Sequence, residues 1–307
     1  MLQNSAGVRA QGGPFKSSVS LLKSYVEVTK PRSVFLLVFT ALAVMVVAGA
    51  GEPLPTLLWV KASLAITLAC SGTNAVSCYI DRDIDAIMER TKKRPIPSGR
   101  IAPAIKALYW GLAQFALACA VAWSINFFSF LCILLGMLGY VGVYSLWLKR
   151  KSTWNIVLGG FSGGLPALFG WVAVRGEITP LSLAIALLVV LWIPNHIWNL
   201  AIYYKDDYRR VGVPMLPVVY EVKRTLLYIM LTVVAMFVLS LIIYQLGDMG
   251  KFYLCTALVT GLIIVGGNIY LYFNCENKGA WWLYKLSSPY LFFIFLAMII
   301  DRWGARA

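Results

Sequence analysis

The chain has 307 residues, of which 60% are hydrophobic and only 13% are charged, and its formal net charge is +14. Soluble globular proteins carry about 25% charged residues, so this composition excludes an ordinary soluble domain. The positive charge does not indicate a nucleic-acid partner, because membrane proteins gather Lys and Arg in their cytoplasmic loops. We therefore expect the chain to reside in a lipid bilayer and to bind no nucleic acid.

Nine apolar segments follow one another along the chain, and each approaches the roughly 20 residues that a helix needs to cross a bilayer. Their predicted ranges are 33–50, 57–80, 104–123, 126–147, 155–174, 180–203, 225–245, 252–273 and 286–302. They leave no room for a separate soluble domain. The predicted fold class is all-α, a polytopic membrane protein with nine transmembrane helices in a single domain over residues 1–307.

The polar segment before the first span, residues 1–30, lacks the apolar core and the cleavage site of a signal peptide. We expect the first span to be retained and residues 1–20 to form a flexible cytoplasmic tail. With a cytoplasmic N-terminus, the inner segments hold 22 of the 27 Lys and Arg residues. The positive-inside rule thus predicts a multi-pass protein of the cell membrane with its N-terminus in the cytoplasm.

Acidic residues are concentrated in two of the inner loops, which follow the second and the sixth span. Seven of the 13 Asp and Glu residues lie there: Asp81, Asp83, Asp85, Glu89, Asp206, Asp207 and Glu221. In both loops the carboxylates come first, then Arg, then a proline-rich turn. Four spans separate the loops, which predicts a parallel repeat about an axis along the membrane normal. Such a repeat would bring the two cytoplasmic loops face to face.

The spacing of the aspartates in the first loop predicts which of them share a face if the loop is helical. The loop reads CYIDRDIDAIMERTKKRPIPSG (78–99). If the second span continues for another turn, Asp81 and Asp85 share one face, and Asp83 points roughly the opposite way. One interpretation is that the neighbouring Lys and Arg side chains pair with these carboxylates on a face of the helix that is exposed to solvent. Alternatively, oxygen-only ligands suit Mg²⁺, which keeps positions open for water and phosphate, and a basic fringe suits a diphosphate. No Gly-x-x-x-x-Gly-Lys-Ser/Thr loop supports a P-loop nucleotide site.

The two loops resemble the aspartate-rich motifs of the UbiA superfamily of intramembrane prenyltransferases. The matching segments are NAVSCYIDRDIDAIMERTKKRPIPSGRI (74–101) and HIWNLAIYYKDDYRRVGVPMLPVV (196–219), and they are most similar to the members that farnesylate haem B. Segments 26–43, 144–171 and 288–302 also fit, so the resemblance covers nearly the whole chain. The sequence departs from the family's first motif at Ser77, where an Asn is usual, and Asn74 lies one turn earlier.

The resemblance implies a reaction and a set of site residues. The reaction joins the farnesyl group of farnesyl diphosphate to a vinyl group of haem B, with Mg²⁺, and gives haem O and diphosphate. Catalysis and metal coordination would fall to Asp81, Asp85, Asp206 and Asp207. Diphosphate binding would fall to Arg90, Lys92, Arg94, Lys149, Arg150, Lys205 and Arg209. The supporting residues would be Asn74, Ser77, Tyr204 and Tyr208.

The single histidine, His196, lies within the sixth span and matches a histidine position of the haem-farnesylating members. We expect it to contact haem, whose iron is commonly held by His. A hydrogen bond between helices and a proton-handling role are the alternatives. For Lys149 and Arg150, an ordinary anchor on the cytoplasmic side is the alternative to diphosphate binding.

Two other functions stay open. A prenyltransferase for a quinone precursor or a lipid shares the first motif but explains the second loop and His196 less naturally. A cation-coupled transporter could also hold carboxylates in a helical bundle, but such sites lie near the bilayer midplane on broken helices. For the haem-modifying function, further partners would be a downstream haem-modifying enzyme or terminal oxidase assembly factors.

Overall fold

The computed structural model of the chain describes residues 18–49 and 52–304. Within these ranges every regular element is a helix, and nine helices are long and apolar enough to cross a membrane. The predicted all-α class with nine spans is therefore confirmed. Of the predicted tail, residues 1–17 lie outside the described ranges, and residues 18–20 belong to the first helix.

The helices follow one another with short connections. In chain order they are α1 (Ser18–Glu27), α2 (Pro31–Ala48), α3 (Thr56–Ile80), α4 (Arg82–Ile87), α5 (Ile105–Trp123), α6 (Phe127–Met137), α7 (Asn155–Arg175), α8 (Pro180–Tyr203), α9 (Lys205–Arg210), α10 (Leu216–Val219), α11 (Val222–Leu246), α12 (Lys251–Asn274) and α13 (Asn277–Gly304). Helix α6 continues as a π-helix over Leu138–Leu148, and the two together make one span. Helices α1, α4, α9 and α10 are too short to cross a bilayer.

Local sequence explains where several spans begin. The side chain of Thr179 accepts a hydrogen bond from the backbone N–H of Ser182, whose hydroxyl accepts one from the N–H of Thr179. This reciprocal pair caps α8, and the side chain of Asn126 caps α6 by accepting from the N–H of Ser129. Helix α13 begins at Asn277, nine residues before the predicted start of the last span.

Glycines let the spans approach closely where the bundle supports the first aspartate-rich loop. A Cβ atom on Gly72 of α3 would lie 2.5 Å from the carbonyl oxygen of Gly111 on α5. A Cβ atom on Gly111 would likewise lie 2.7 Å from the carbonyl oxygen of Gly72. Small residues at such crossings allow backbone contact in membranes, where packing replaces the hydrophobic effect between helices. The end of α3 that carries the first loop is thereby held against α5.

Candidate active site

The two aspartate-rich loops meet at one end of the bundle. The backbone N–H of Arg90 in the first loop donates to Oδ2 of Asp207 in the second, over 3.3 Å. The guanidinium of Arg90 also lies 3.5 Å from the hydroxyl of Tyr208 and 5.5 Å from the ring centroid of Tyr204. The prediction that these loops face each other is confirmed.

Helical hydrogen bonding continues from α3 through the first loop, as the spacing predicts. The N–H of Asp81 donates to the carbonyl oxygen of Ser77 over 2.9 Å, and that of Asp85 donates to the carbonyl of Asp81 over 2.8 Å. Asp81 and Asp85 are each only 3% exposed, whereas the side chain of Asp83 is 58% exposed. Asp81 and Asp85 therefore share the buried face, and Asp83 points outwards.

Each carboxylate of this loop has its own cation. The ammonium of Lys149 lies 2.6 Å from Oδ2 of Asp81, and Arg94 donates to Oδ2 of Asp85 over 2.7 Å. Cation pairing was one of the two interpretations of the sequence, but Asp81 and Asp85 are buried rather than solvated. Their ion pairs are buried, so the two carboxylates and their two cations are held in fixed positions inside the protein.

The outward carboxylate is paired as well. Arg150 donates two hydrogen bonds of 2.6 Å to the two oxygens of Asp83. These bonds lower the pKa of the Asp83 carboxyl to about 2. Arg150, predicted to bind diphosphate, thus engages a carboxylate on the outer face of the loop. Its neighbour Lys149 reaches the inner face, because the π-helix ends in a wide turn where the N–H of Lys149 donates to the carbonyl of Tyr144, five residues back.

The second loop separates its two aspartates. Asp207 is buried, and Arg210 lies 3.5 Å from its Oδ1 atom. Asp206, in contrast, has a side chain that is 83% exposed and pairs with Arg209 over 2.7 Å. Successive residues of a helix are about 100° apart, so α9 cannot turn both carboxylates towards α4. The structure therefore places Asp207 in the buried group and leaves Asp206 and Arg209 on the surface.

Other predicted residues divide in the same way between the buried group and the surface. Lys92 is exposed and pairs with Glu89 over 2.5 Å, and Lys205 is half-buried at the start of α9. Ser77 is fully buried, and its hydroxyl lies 3.4 Å from Oδ2 of Asp81. Ser77 therefore contacts the first aspartate directly, whereas Asn74 lines the cavity described next.

A cavity of about 410 Å³ lies among α2, α3, α6, α7, α8 and α13. This volume is in the range of small-molecule sites, roughly 300–1,000 Å³. Its lining is mostly apolar and aromatic, with Tyr140, Tyr144 and Tyr284 among the contacts. Tyr144 also joins the cavity to the carboxylates, because the ammonium of Lys149 lies 5.8 Å from its ring. The aspartate loops thus stand next to a largely apolar cavity.

His196 lines this cavity in a defined orientation. Its ring stacks on Trp192, with centroids 4.5 Å apart, and lies 4.6 Å from the ring of Tyr284. Its Nδ1 atom is 2.6 Å from the hydroxyl oxygen of Ser287 on α13. That hydroxyl already donates its only proton to the carbonyl of Tyr284 over 2.6 Å. When this hydroxyl donates to Tyr284, Nδ1 carries the proton of the neutral imidazole and Nε2 has the lone pair.

Several residues of the site were missed by reasoning from the sequence. Tyr284 and Ser287 come from α13, and nothing in their local sequence indicates that they contact His196. Trp192 could have been found, because it lies four residues before His196 on the same face of α8. Lys30, between α1 and α2, lines the cavity, and its ammonium lies 6.0 Å from the ring of Tyr140. Arg210 could have been found, because it lies three residues after Asp207, on the same face of a helix.

The buried carboxylates fit a magnesium ion that shares its coordination with a substrate. Among the described residues, no three His, Cys, Asp or Glu side chains are grouped closely enough to hold a metal by themselves. However, Oδ1 of Asp81 is buried without a hydrogen-bond partner, and all the donors are oxygens. Mg²⁺ is usually bound by one or two carboxylates together with water and phosphate. This donor set therefore suits Mg²⁺ that is bound with a diphosphate.

Known proteins resemble this chain over nearly its whole length. It is 59% identical over 281 residues to a protoheme IX farnesyltransferase of Desulforudis audaxviator (strain MP104C), covering 92% of this chain and 89% of that protein. It is 40% identical over 294 residues to a protein of the same name from Symbiobacterium thermophilum (strain DSM 24528), covering 95% of this chain and 98% of that one.

Solved structures share the fold at low sequence identity. A digeranylgeranylglyceryl phosphate synthase superposes with a TM-score of 0.77 at 20% identity, covering 92% of this chain and 99% of that one. A UbiA homologue from Archaeoglobus fulgidus, bound to GPP and Mg²⁺, superposes with a TM-score of 0.63 at 18% identity, covering 90% and 99%.

A sequence model of the UbiA prenyltransferase family matches residues 36–297. Together with the close relatives, this match confirms the resemblance found in the two loops and the expectation of a prenyl-transferring enzyme. It also agrees with the nine apolar helices of a multi-pass membrane protein. The chain belongs to the UbiA prenyltransferase family.

Proposed function

We propose that this chain joins the farnesyl group of farnesyl diphosphate to a vinyl group of haem B, producing haem O and diphosphate. The observation that carries the proposal is the pairing of two features. Buried carboxylates with their own cations stand beside a largely apolar cavity, and that cavity is lined by His196, whose ring is oriented by a contact between Nδ1 and the hydroxyl of Ser287. The close relatives named protoheme IX farnesyltransferase support the choice of substrates.

In this proposal the diphosphate binds at the end of the bundle where the loops meet. Asp81 and Asp85 of the first loop and Asp207 of the second would share the binding of Mg²⁺ with the diphosphate itself, and the metal would supply positive charge for the departing diphosphate. Arg94 and Lys149 already lie within hydrogen-bond distance of the first two carboxylates and supply fixed positive charge beside them. Because this charge is in place before the reaction, it stabilises the leaving group without reorganisation.

The apolar cavity would protect the reacting carbon. When the bond between the allylic carbon and the diphosphate oxygen breaks, the electron pair leaves with the diphosphate and the carbon becomes cation-like. The π-electrons of the haem vinyl group form the new carbon–carbon bond, and a water molecule adds its hydroxyl to the porphyrin-side cation and releases a proton. The faces of Tyr140 and Tyr144 line the cavity and stabilise a nearby cation modestly, while the apolar lining excludes water until the bond has formed.

His196 would contact the haem. A neutral imidazole with its proton on Nδ1 can bind iron through Nε2, and the ring of His196 is held between Trp192 and Tyr284. A fixed ring at this depth would set the position of the porphyrin relative to the prenyl chain. The hydrogen bond from Nδ1 to Ser287 also joins α8 to α13, so the helix-packing alternative is part of the same arrangement.

The orientation in the membrane is also part of the proposal. Placing the N-terminus and both aspartate loops in the cytoplasm puts 22 of the 27 Lys and Arg residues on that side. Haem O formed there remains an apolar molecule. It would therefore stay in the bilayer and pass there to a downstream haem-modifying enzyme or to terminal oxidase assembly factors.

A lipid or quinone-precursor prenyltransferase is the second candidate, and the similarity of fold to a digeranylgeranylglyceryl phosphate synthase favours it. At 20% identity that similarity concerns the fold alone, and it does not account for the oriented His196. A transporter is disfavoured because the carboxylates lie at one end of the bundle rather than at its centre.

The decisive experiment supplies purified protein with haem B, farnesyl diphosphate and Mg²⁺ and searches for a hydroxyethylfarnesyl haem by mass spectrometry. A parallel reaction with a chelator in place of Mg²⁺ tests the metal requirement. A second parallel reaction replaces haem B with an aromatic quinone precursor. Product from the quinone precursor and none from haem B would overturn the proposal in favour of the second candidate.

A further inference from the structure

Helix α1 precedes the first span and has three chemically different sides. Ser24 is buried against the protein, and Val28, just after the helix, is buried as well. Lys23 and Glu27 carry the charge of the segment. The third side is apolar but uncovered, and it comprises Leu21, Leu22 and Val26, which are 43%, 64% and 51% exposed. At about 100° per residue these three side chains cover one continuous face of the helix.

Two contacts fix the depth of α1 along the membrane spans. The ring of Tyr25 meets the ring of Trp110 edge to face, with centroids 5.6 Å apart. Trp110 is five residues into α5, which is about 7.5 Å from the start of that helix. On the other side, the Sγ atom of Cys78 donates to the carbonyl oxygen of Val28 over 3.4 Å, before α3 has ended. Helix α1 therefore lies at the level of the first and last turns of membrane-spanning helices, not beyond them.

The charged side of α1 faces the polar loops. Arg100 donates to both carboxylate oxygens of Glu27, over 2.5 and 2.7 Å, and also to the carbonyl of Lys93 in the first aspartate-rich loop. This pair fixes the rotation of the helix about its axis. With Glu27 held towards the loops and Ser24 against the bundle, the face of Leu21, Leu22 and Val26 is directed away from both.

We propose that α1 is an interfacial helix whose face of Leu21, Leu22 and Val26 inserts into the boundary between lipid headgroups and acyl chains. Such helices bury their apolar face by about 5–10 Å. Lipid is the occupant that the surroundings favour, since the uncovered face is continuous with exposed aromatic residues of a span. Tyr109 and Trp110 of α5 are 65% and 41% exposed, as in the aromatic belts of membrane interfaces.

The lipid contact would also steady one wall of the substrate cavity. Helix α1 leads directly into Lys30, whose backbone has a left-handed conformation with φ of 56°, and Lys30, Arg32 and Ser33 all line the cavity. A helix inserted in the leaflet cannot tilt away from the bundle without exposing Leu22 and Val26 to water. The lipid surface thus holds the segment that closes the cavity on the side of α2.

Photo-crosslinking tests this inference in the full chain. The photoreactive residue p-benzoylphenylalanine is introduced in place of Leu22 or Val26, and in place of Lys23 as the matched control on the charged side. A fourth variant carries it at Leu231 of α11, a span residue that is 59% exposed, as the lipid-facing reference. Each protein is reconstituted in vesicles of phosphatidylethanolamine and phosphatidylglycerol and irradiated, and the adducts are identified by mass spectrometry.

The expected result is phospholipid adducts at positions 22 and 26 with a yield similar to that at position 231 and at least about fivefold above that at position 23. A yield at position 22 that equals the yield at position 23 and lies far below that at position 231 would mean that the helix lies in water and would overturn the proposal. Adducts from position 22 to a second copy of the chain or to another protein, instead of lipid, would overturn it as well.

Discussion

Lys149 and Asp81 form an ion pair that satisfies only half of the carboxylate. Oδ2 of Asp81 lies 2.6 Å from the ammonium of Lys149, whereas Oδ1 is buried without a hydrogen-bond partner. Leaving a buried polar atom unsatisfied costs about 1–3 kcal/mol. A ligand that accepts this contact would offset the cost, so in the proposed reaction Oδ1 of Asp81 would be an oxygen available to Mg²⁺.

The three aspartates of the first loop should differ in importance. We expect Asp81→Asn and Asp85→Asn each to reduce turnover at least about tenfold, which corresponds to roughly 1.4 kcal/mol of lost transition-state stabilisation. Asp83→Asn should be milder, because its carboxylate points outwards to Arg150. The measurement is the rate of haem O formation by mass spectrometry. Equal losses in all three variants would contradict the separation of the two faces.

The second loop offers a sharper comparison between adjacent residues. Asp207→Asn should lower turnover at least about tenfold, because it removes a buried charge beside Arg90 and Arg210. Asp206→Asn should leave turnover within about threefold of the unmodified chain, since an exposed ion pair contributes about 0–1 kcal/mol. A larger loss for Asp206→Asn than for Asp207→Asn would show that α9 is rotated during catalysis.

The sequence allowed prediction of those features that depend on local periodicity. Nine spans follow from apolar segment lengths, and the buried face of Asp81 and Asp85 follows from their spacing of four residues. The assignment of Asp206 came instead from the resemblance to the family motif, and periodicity alone does not decide whether Asp206 or Asp207 is buried. On a helix, neighbouring residues point about 100° apart, and only the packing of α9 against the first loop decides which of the two is buried.

Contacts between distant segments could not be predicted from the sequence. His196 and Ser287 are 91 residues apart in the chain, and no local pattern indicates that α13 brings Ser287 to the imidazole. Lys149 and Arg150 are adjacent cations, yet one reaches a buried carboxylate and the other an exposed one. The π-helix that ends at Leu148 sets this difference, and such helices have no reliable sequence signal.

The pair of Arg150 and Asp83 predicts a specific pH dependence of stability. The hydrogen bonds from Arg150 lower the pKa of Asp83 from 3.8 to about 2 in the folded chain. The pair therefore stabilises the fold fully above about pH 4, and its contribution is lost as the pH falls through the folded pKa. Because both side chains are partly exposed, its contribution is about 1 kcal/mol at most.

The measurement is the melting temperature of the unmodified chain and of Asp83→Asn in detergent. The unmodified chain should melt at a slightly higher temperature with a constant difference over about pH 5 to 8, and this difference should shrink towards zero as the pH falls from about 4 to 2. A difference that instead grew as the pH fell would show that Asp83 is not held ionised by Arg150.

Labelling tests the orientation of the chain in the membrane. Ser98 is exposed in the first aspartate-rich loop, and Lys251 is exposed at the opposite end of the bundle, at the start of α12. The exposed Cys255 and Cys275 are first replaced by Ser. A cysteine at Ser98 should react only with a reagent in the cytoplasm, and one at Lys251 only with a reagent outside. The reverse pattern would overturn the cytoplasmic placement of the aspartate loops.

Replacement of His196 should separate haem binding from prenyl-donor binding. His196 lies nine residues before Lys205, or about 13 Å deeper in the bundle at 1.5 Å per residue. That distance is too great for contact with a diphosphate at the loops, but it suits a porphyrin in the cavity. We expect His196→Ala to lose or shift the Soret band of bound haem, while thermal stabilisation by Mg²⁺ with farnesyl diphosphate is retained.

Ser287→Ala provides the matched test of the imidazole tautomer. If Nδ1 donates to the hydroxyl of Ser287, loss of that hydroxyl frees the proton to move to Nε2, which then has no lone pair for iron. The variant should therefore bind haem more weakly than the unmodified chain but more tightly than His196→Ala, with the same response to farnesyl diphosphate. If haem affinity is unchanged in both variants and the diphosphate response is lost, His196 does not contact the porphyrin. The haem site would then lie among the aromatic residues of the loops, with Tyr204 and Tyr208 the next positions to replace.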